Sequence, residues 1–254
     1  LLKLSVSSMD THEKCPKKYH YRYIEKPDLP KQEWNFTALG SCAHRILEIF
    51  HERIIKECTP EKDYSILMKQ CFKAGVKEFD INLLQDFTWM PEGDMSGMLA
   101  LRIMMQDYLN KIRAEGTPDV IGIELKYSFH INPTTIVRGF IDRVDRVSPG
   151  VYRVVDYKTS KNQKYLTEFQ LKVYAEALNR VYKDVKVVYG SYLLLKHKCV
   201  TKDYTFNHDD LKDCVALVTK KASNIENDKN WIKKPSILCR WCDYMPICQD
   251  AWAE

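Results

Sequence analysis

The sequence predicts an α/β fold in which a central mixed sheet is flanked by helices. Three observations carry that prediction. Residues 137–158 hold two apolar, β-branched runs, Val-Arg-Gly-Phe-Ile-Asp-Arg-Val-Asp-Arg-Val and Val-Tyr-Arg-Val-Val-Asp-Tyr-Lys, split by Ser148-Pro149-Gly150, which is the pattern of a β-hairpin. Leu39, Ala43, Ile46, Leu47, Phe50 and Ile54 recur at helical spacing. The elements follow the order helix, three strands, helix, strand, which suits a sheet covered by helices.

Along the chain, Ser5 to Tyr23 reads as a capped short helix interrupted at Cys15-Pro16, then a second short helix with Pro16 in its first turn. Lys17 to Tyr23 interleaves basic and aromatic residues. That run suits nucleic-acid backbone contact and base stacking, but a helix that buries its tyrosines is the preferred expectation. Residues 30–37 form a polar-aromatic loop. From Leu39 to Cys58 the period is helical, with His44, Glu48 and His51 on a face apart from the apolar one. Residues 60–115 read as two helices joined by 86–93, the second capped by Asp94. In the joint, Phe87 and Trp89 suit either stacking on unpaired bases or a small hydrophobic cluster.

Val120 to Ile131 alternates as a strand, with Ile121, Ile123 and Leu125 set against Glu124 and Lys126. Glu124 reads either as an extra acidic site residue or as a salt-bridged sheet residue. After the hairpin come a helix from about Gln163 to Tyr182, a strand over Val185–Lys196, an edge strand over Val200–Phe206, a helix over about His208–Asn227, and a cysteine-rich tail beyond Trp231. One domain over 1–254 is expected, with its sheet core at 119–206, a helical insertion at 60–115, and the segments 1–30 and 231–254 joined at the termini.

The hairpin carries the chemistry. Side chains alternate along a strand, so Asp156 and Lys158 point the same way. Across the turn, Asp142 can be brought beside them. Carboxylates bind a hard divalent cation, which polarises a phosphate and acidifies a water. A lysine adds a fixed positive charge near the reacting phosphate. An Asp and a Lys two apart are often only a solvated pair worth little, but here they end an apolar strand, where sites form. Asp145, three residues from Asp142, faces the other side and is expected to pair with Arg143 or Arg146.

These residues resemble the core of the PD-(D/E)XK nuclease superfamily in its RecB-like branch, which is marked by Gly-x-x-x-His, Asp, Asp-x-Lys and Gln-x-x-x-Tyr in that order. Here they are Gly40-x-x-x-His44, Asp142, Asp156-x-Lys158 and Gln170-x-x-x-Tyr174. The resemblance implies a restriction-endonuclease-like core and metal-dependent DNA hydrolysis using Mg2+ or Mn2+. It implies His44, Asp142 and Asp156 as metal ligands, with the Tyr157 carbonyl as a fourth. Lys158 would be the catalytic lysine, and Gln170 and Tyr174 would border the site, contacting substrate or holding Lys158. Glu48, one turn from His44, is expected to orient it, whereas His51 is too far along the helix to be catalytic.

A second feature is independent of the first. Of nine cysteines, three crowd the C-terminal end as Cys239-x-x-Cys242-x-x-x-x-x-Cys248, and Cys15 sits near the other end. Thiolates at such spacing hold a soft metal centre, though a zinc ribbon usually has two C-x-x-C pairs. The pattern resembles the iron–sulfur nucleases of the same branch, CRISPR-associated exonucleases and AddB-type nuclease domains. That implies a 4Fe-4S cluster on Cys15, Cys239, Cys242 and Cys248, a structural staple between the chain ends, with zinc as the second choice. Disulfides are disfavoured by the odd count and by the absence of a secreted-scaffold pattern. Cys42, Cys58, Cys71, Cys199 and Cys214 are expected as buried thiols.

Composition agrees. Hydrophobic residues make up 45%, ample for a core, and the net charge of +5 suits a nucleic-acid partner. No apolar run is long enough to span a bilayer, so no membrane is expected and the setting is read as cytoplasmic. The chain opens Leu-Leu-Lys without a signal peptide, and a few leading residues are expected before it. The resulting expectation is a DNA exonuclease acting on single strands or free ends, as the iron–sulfur relatives imply. No G-x-x-x-x-G-K-[ST] motif is present, so any unwinding would come from a helicase partner. The alternatives are a non-catalytic DNA-binding or assembly module of the same fold, and a same-fold nuclease acting on RNA or branched structures.

Overall fold

The computed structural model describes residues 1–30, 33–85, 96–160, 163, 164 and 166–248. Phe87, Trp89 and Asp94 lie outside the described residues. Contacts divide the chain into two compact units: Glu33–Tyr127 with Phe140–Leu211, and Leu1–Gln32 with Ser128–Gly139 and Lys212–Glu254.

The larger unit opens with helix α3 (Asn35–Glu57), following β1 (Leu2–Leu4), α1 (Val6–Lys14) and α2 (Pro16–Tyr19) of the smaller one. On α3, Leu39, Ala43, Ile46, Leu47 and Phe50 are buried and Ile54 packs against them, as their spacing predicts. Each fully buried Leu, Ile or Phe among them contributes roughly 1.5–3 kcal/mol. Among the described residues, the region expected to hold two helices holds three α-helices: α4 (Tyr64–Val76), α5 (Ile81–Gln85) and α6 (Gly97–Glu115). The extra break falls after Val76, where the Asp80 carboxylate accepts the Asn82 N–H at 2.9 Å and starts a new turn. Helix α6 is capped by Ser96, whose side chain accepts from the Leu99 N–H.

The hairpin forms as expected, from β3 (Thr135–Ser148) and β4 (Val151–Lys158), and β2 (Val120–Asn132) pairs with β3. In the larger unit β3 and β4 are antiparallel with Arg143 opposite Val155. Strand β4 runs parallel to β5 (Val187–Leu194) with Asp156 opposite Tyr192, and β5 is antiparallel to β6 (Val200–Phe206). The crossover between the parallel strands is helix α7 (Glu168–Val181). It begins later than expected, with Thr167 in the cap position and its carbonyl accepting from Tyr192 Oη at 2.7 Å. Helix α7 lies close on β5 because position 190 is glycine: a Cβ there would meet Leu171 Cβ at 2.8 Å and Phe206 at 2.7 Å.

In the smaller unit, α1 is closed by a capping box at Ser5, and β1 pairs in parallel with the start of β3, Leu2 opposite Thr135. Helix α8 (His208–Asn227) begins in the larger unit and runs into the smaller one, where the segments 1–30 and 231–248 also lie. His12 Nε2 lies 2.9 Å from Asp228 Oδ2, and Lys234 Nζ donates to the Glu13 carbonyl at 3.0 Å. Tyr19 and Tyr21 are buried, which favours the packing reading of the Lys17–Tyr23 run for those two. Cys42, Cys71, Cys199 and Cys214 are buried thiols, but Cys58 is exposed. It follows the last turn of α3 in a left-handed conformation, φ 48°, where it ends the helix instead of packing under it. No helix among the described residues is long and apolar enough to cross a membrane.

Candidate active site

Period-two alternation sorts the hairpin residues onto two faces of the sheet. On one face, Lys158 Nζ lies 2.6 Å from Asp156 Oδ2. On the same side, Asp142 Oδ2 accepts the Tyr157 N–H at 2.7 Å, which brings the two aspartates together across the ladder. On the other face, Arg143 and Asp145 form a buried ion pair at 2.9 Å. Asp145 is thus paired with Arg143, while Arg146 pairs with Asp119.

Helix α7 supplies the second side of the cluster. Gln170 and Tyr174 stand one turn apart and face the same way. The Gln170 amide bridges the charged pair: its Oε1 accepts from Lys158 Nζ at 3.2 Å and its Nε2 donates to Asp156 Oδ1 at 2.7 Å. A side-chain amide offers a donor and an acceptor side by side. Tyr174 Oη lies 2.7 Å from Gln170 Nε2 and 3.5 Å from Asp156 Oδ1. Lys158 is 26% exposed and Asp156 only 4%, so the ammonium is the accessible partner.

Helix α3 supplies the third side. His44 Nε2 lies 2.9 Å from the Tyr157 carbonyl oxygen, and its Nδ1 lies 3.4 Å from Asp142 Oδ2. Gly40, one turn earlier, sits where a Cβ would meet Thr159 Oγ1 at 3.1 Å, which lets the end of β4 approach this turn of the helix. Glu48 does not orient His44. It pairs with Arg45 at 2.9 Å, because the guanidinium three residues away outcompetes the imidazole. His51 is buried and hydrogen-bonds Tyr108 Oη, away from the carboxylates.

Glu124 joins the cluster. Ligand atoms of His44, Glu124 and Asp142 all lie within 4.8 Å of one another, so the three can hold a divalent ion. Glu124 reaches this position through a left-handed backbone, φ 44°, inside strand β2. Such a conformation is costly for a residue with a side chain and is characteristic of functional sites.

The electrostatics suit a bound cation. Burial pushes the Asp156 carboxyl up to about 6, against the pull of Lys158 and with the help of Asp142. Burial and the Asp142 charge push Glu124 up to about 7. Burial lowers the His44 imidazole, but the hydrogen bond and charge of Asp142 outweigh it and leave it raised. The donor set of imidazole, carboxylates and a carbonyl oxygen suits Mg2+ or Mn2+.

Behind the sheet lies a network the sequence reading did not assemble. Arg143 donates to Tyr108 Oη, to Tyr157 Oη at 3.3 Å and to Asp145 Oδ2 at 3.0 Å. Arg143 and Tyr157 are each the chain neighbour of a candidate ligand, so this clamp fixes the strands that carry Asp142 and Asp156. The available signal was a charged pair two residues apart on an otherwise apolar strand.

The four cysteines of the terminal segments lie in the smaller unit. Cys15, Cys239, Cys242 and Cys248 all line one cavity of about 250 Å³, with Tyr21 and Tyr244. Burial raises the Cys248 thiol, and the charges of Cys15, Cys242 and Cys239 raise it further.

Comparison with known proteins places this arrangement. Residues 3–249 match the PD-(D/E)XK nuclease superfamily. A protein of Streptococcus agalactiae, described as one of the subunits of an ATP-dependent helicase/deoxyribonuclease, is 27% identical over 70% of this chain and 16% of its own length. The protein of the same description from Streptococcus pyogenes serotype M1 is 26% identical over 61% of this chain and 14% of its own. The chain thus spans about a sixth of these relatives. A crystal structure from Eubacterium rectale, provisionally described as an exonuclease, aligns over 93% of this chain and 91% of its own at 12% identity, with a TM-score of 0.45. With the match extending over nearly its whole length, the chain belongs to the PD-(D/E)XK nuclease superfamily.

Proposed function

We propose that this chain is a DNA exonuclease that hydrolyses phosphodiester bonds with Mg2+ or Mn2+, prefers single strands or free ends, and carries a structural 4Fe-4S cluster. The observation that carries the reading is the Asp156–Lys158 pair bridged by Gln170, set beside the His44, Glu124 and Asp142 cluster. A divalent ion held there supplies charge stabilisation for a phosphate and lowers the pKa of water. His44, Glu124, Asp142, Asp156 and the Tyr157 carbonyl would hold it. Lys158, the accessible cation of the cluster, faces the phosphate and stabilises charge developing on it. Gln170 ties the Lys158–Asp156 pair to α7, and Tyr174 holds Gln170.

The cysteine cavity supports the cluster. Cys15, remote in sequence, lines the cavity together with Cys239, Cys242 and Cys248, as a shared metal centre requires. The cluster would staple α1 and α2 to the C-terminal segment. A DNA substrate implies an intracellular setting, and the description of the streptococcal relatives as parts of a helicase/deoxyribonuclease supports a helicase partner.

The test is a time course of purified protein with end-labelled single-stranded DNA, duplex DNA and RNA, in Mg2+, in Mn2+ and in EDTA. Progressive shortening of single-stranded DNA that stops in EDTA is expected. Metal-independent cleavage, or none on any substrate, would overturn the reading, the latter in favour of a non-catalytic binding module. Preferential cleavage of RNA would overturn the DNA assignment.

A further inference from the structure

The smaller unit carries a groove of about 680 Å³ that the catalytic chemistry does not use. Its lining includes Lys3, Lys26, Arg138, Lys229, Tyr23 and Trp231. All four cations are exposed, and Lys3, Lys26 and Arg138 form no ion pair with any described residue. The two carboxylates on its wall are already engaged. Asp228 lies 2.9 Å from His12 Nε2 and accepts the Asn230 and Trp231 N–H groups. Glu226 accepts from Thr135 Oγ1 at 3.3 Å. With four cations against two carboxylates, the groove carries a net positive charge.

It also presents aromatic rings. Trp231 stacks on the buried Tyr19, with planes 11° apart and centroids at 5.8 Å, and Tyr23 packs on the same tyrosine at 4.9 Å. Trp231 is held there in a left-handed conformation, φ 46°. A bulky aromatic residue rarely adopts that conformation, and strain of this kind points to a function for the side chain. Exposed cations beside aromatic rings are the chemistry that recognises a single strand, the cations taking phosphates and the rings taking bases. The active-site carboxylates Glu124, Asp142 and Asp156 repel a polyanion, so a strand needs its attractive contacts elsewhere.

We propose that this groove is a second nucleic-acid site, binding single-stranded DNA outside the catalytic cluster through Lys3, Lys26, Arg138 and Trp231. The proposal rests on the DNA-directed reading of the chain. It gives the Lys17–Tyr23 run a divided role, with Tyr19 and Tyr21 in the packing and Tyr23 at the groove.

The test measures binding of fluorescein-labelled oligothymidylate to the full chain in EDTA, so no cleavage is needed. In the triple variant Lys3→Glu, Lys26→Glu, Arg138→Glu, affinity should fall about tenfold or more, with the melting temperature unchanged. Each lost phosphate contact should flatten the plot of log affinity against log salt by about 0.7, so the slope should fall by about 2. Trp231→Ala should weaken oligothymidylate by about tenfold but spare an abasic strand of equal length, and Trp231→Phe should restore most of the loss. An unchanged affinity and slope in the triple variant would overturn the proposal, as would tighter binding to duplex than to single strands. An equal Trp231→Ala loss on the abasic strand would remove the stacking role. A protein that binds through the groove but never cuts would sink the nuclease reading and leave the groove standing. One that cuts, yet binds as well after the charge reversal, would sink the groove alone.

Discussion

Divalent-metal affinity should climb steeply between pH 5.5 and 8, because the site must shed protons to accept the ion. Asp156 is pushed up to about 6 and Glu124 up to about 7. At pH 5.5 the protonated fractions of these two groups weaken binding by about 4-fold and about 30-fold, and at pH 8 by almost nothing. These two groups alone should make Mn2+ bind about 100-fold more tightly at pH 8, a difference of about 2.7 kcal/mol, and the His44 imidazole, whose proton Asp142 helps retain, should add to it. At pH 6 each ion bound should displace about 1.4 protons from these two groups, about 0.5 from Asp156 and about 0.9 from Glu124, and a further fraction from His44, which binds only as the neutral imidazole. Titration calorimetry in buffers of different ionisation enthalpy reads that number directly. Glu124→Gln should lower the release by about 0.9 protons and cut the rise in affinity by about 30-fold. The same shifts fix the sign for stability. Both folded values lie above those of the free side chains, 3.8 and 4.5, so the folded protein keeps protons that the unfolded chain has released. Without metal, the contribution of these two groups to stability falls as pH rises from about 4 to about 7, and saturating Mn2+ should remove that fall. A pH-independent Mn2+ affinity, with no proton release at pH 6, would refute the reasoning.

Lys158→Ala should lower kcat by about 10²–10³-fold and leave Mn2+ affinity at pH 8 little changed, since the ammonium is not a ligand; weakened Mn2+ binding would reassign Lys158 to holding the site together. Cys15→Ser should abolish the brown colour and the iron and sulfide content of the aerobically purified protein, lower its melting temperature and expose both chain ends to protease. Full iron content and wild-type stability in that variant, or zinc in place of iron in the wild type, would end the four-cysteine cluster reading. Arg143→Met should cost about 3–5 kcal/mol in urea denaturation by stripping the buried Asp145 of its closest partner, and Arg143→Met with Asp145→Leu should recover most of it; a single variant within 1 kcal/mol of wild type would show that the clamp is not needed.

What could be read from the sequence follows the range of the forces involved. The hairpin was legible because alternation is strictly local, and the Ser148-Pro149-Gly150 turn fixes which side chains meet. The pairing of Gln170 with Tyr174 was legible for the same reason, since one helical turn sets it. A histidine on a helix has no local signature, so His44 was found only through the order of motifs around it. The pattern leaves the role of Glu124 open, because alternation assumes extended backbone throughout and the left-handed residue at 124 breaks that assumption. Glu48 had the right spacing for His44, but spacing does not say which neighbour wins, and Arg45 does. His51, Tyr108 and Arg143 come from three separate elements, and nothing in the local pattern joins them. The third helix in the 60–115 region depends on one side-chain cap at Asp80, and the exposure of Cys58 on where α3 stops.

The most direct test of the active site is hydrolysis by Asp156→Asn, with Asp145→Asn as the control for a carboxylate on the opposite face. Asparagine keeps the shape of Asp156 and its contact with the Gln170 amide side chain, but removes the charge that pairs with Lys158 and faces the ion. With 5′-labelled single-stranded DNA in Mn2+, wild type should shorten the strand, Asp156→Asn should leave it intact over the same time course, and Asp145→Asn should shorten it once shown to be folded. Near wild-type cleavage by folded Asp156→Asn would contradict the assignment of this cluster as the phosphodiester-cutting site.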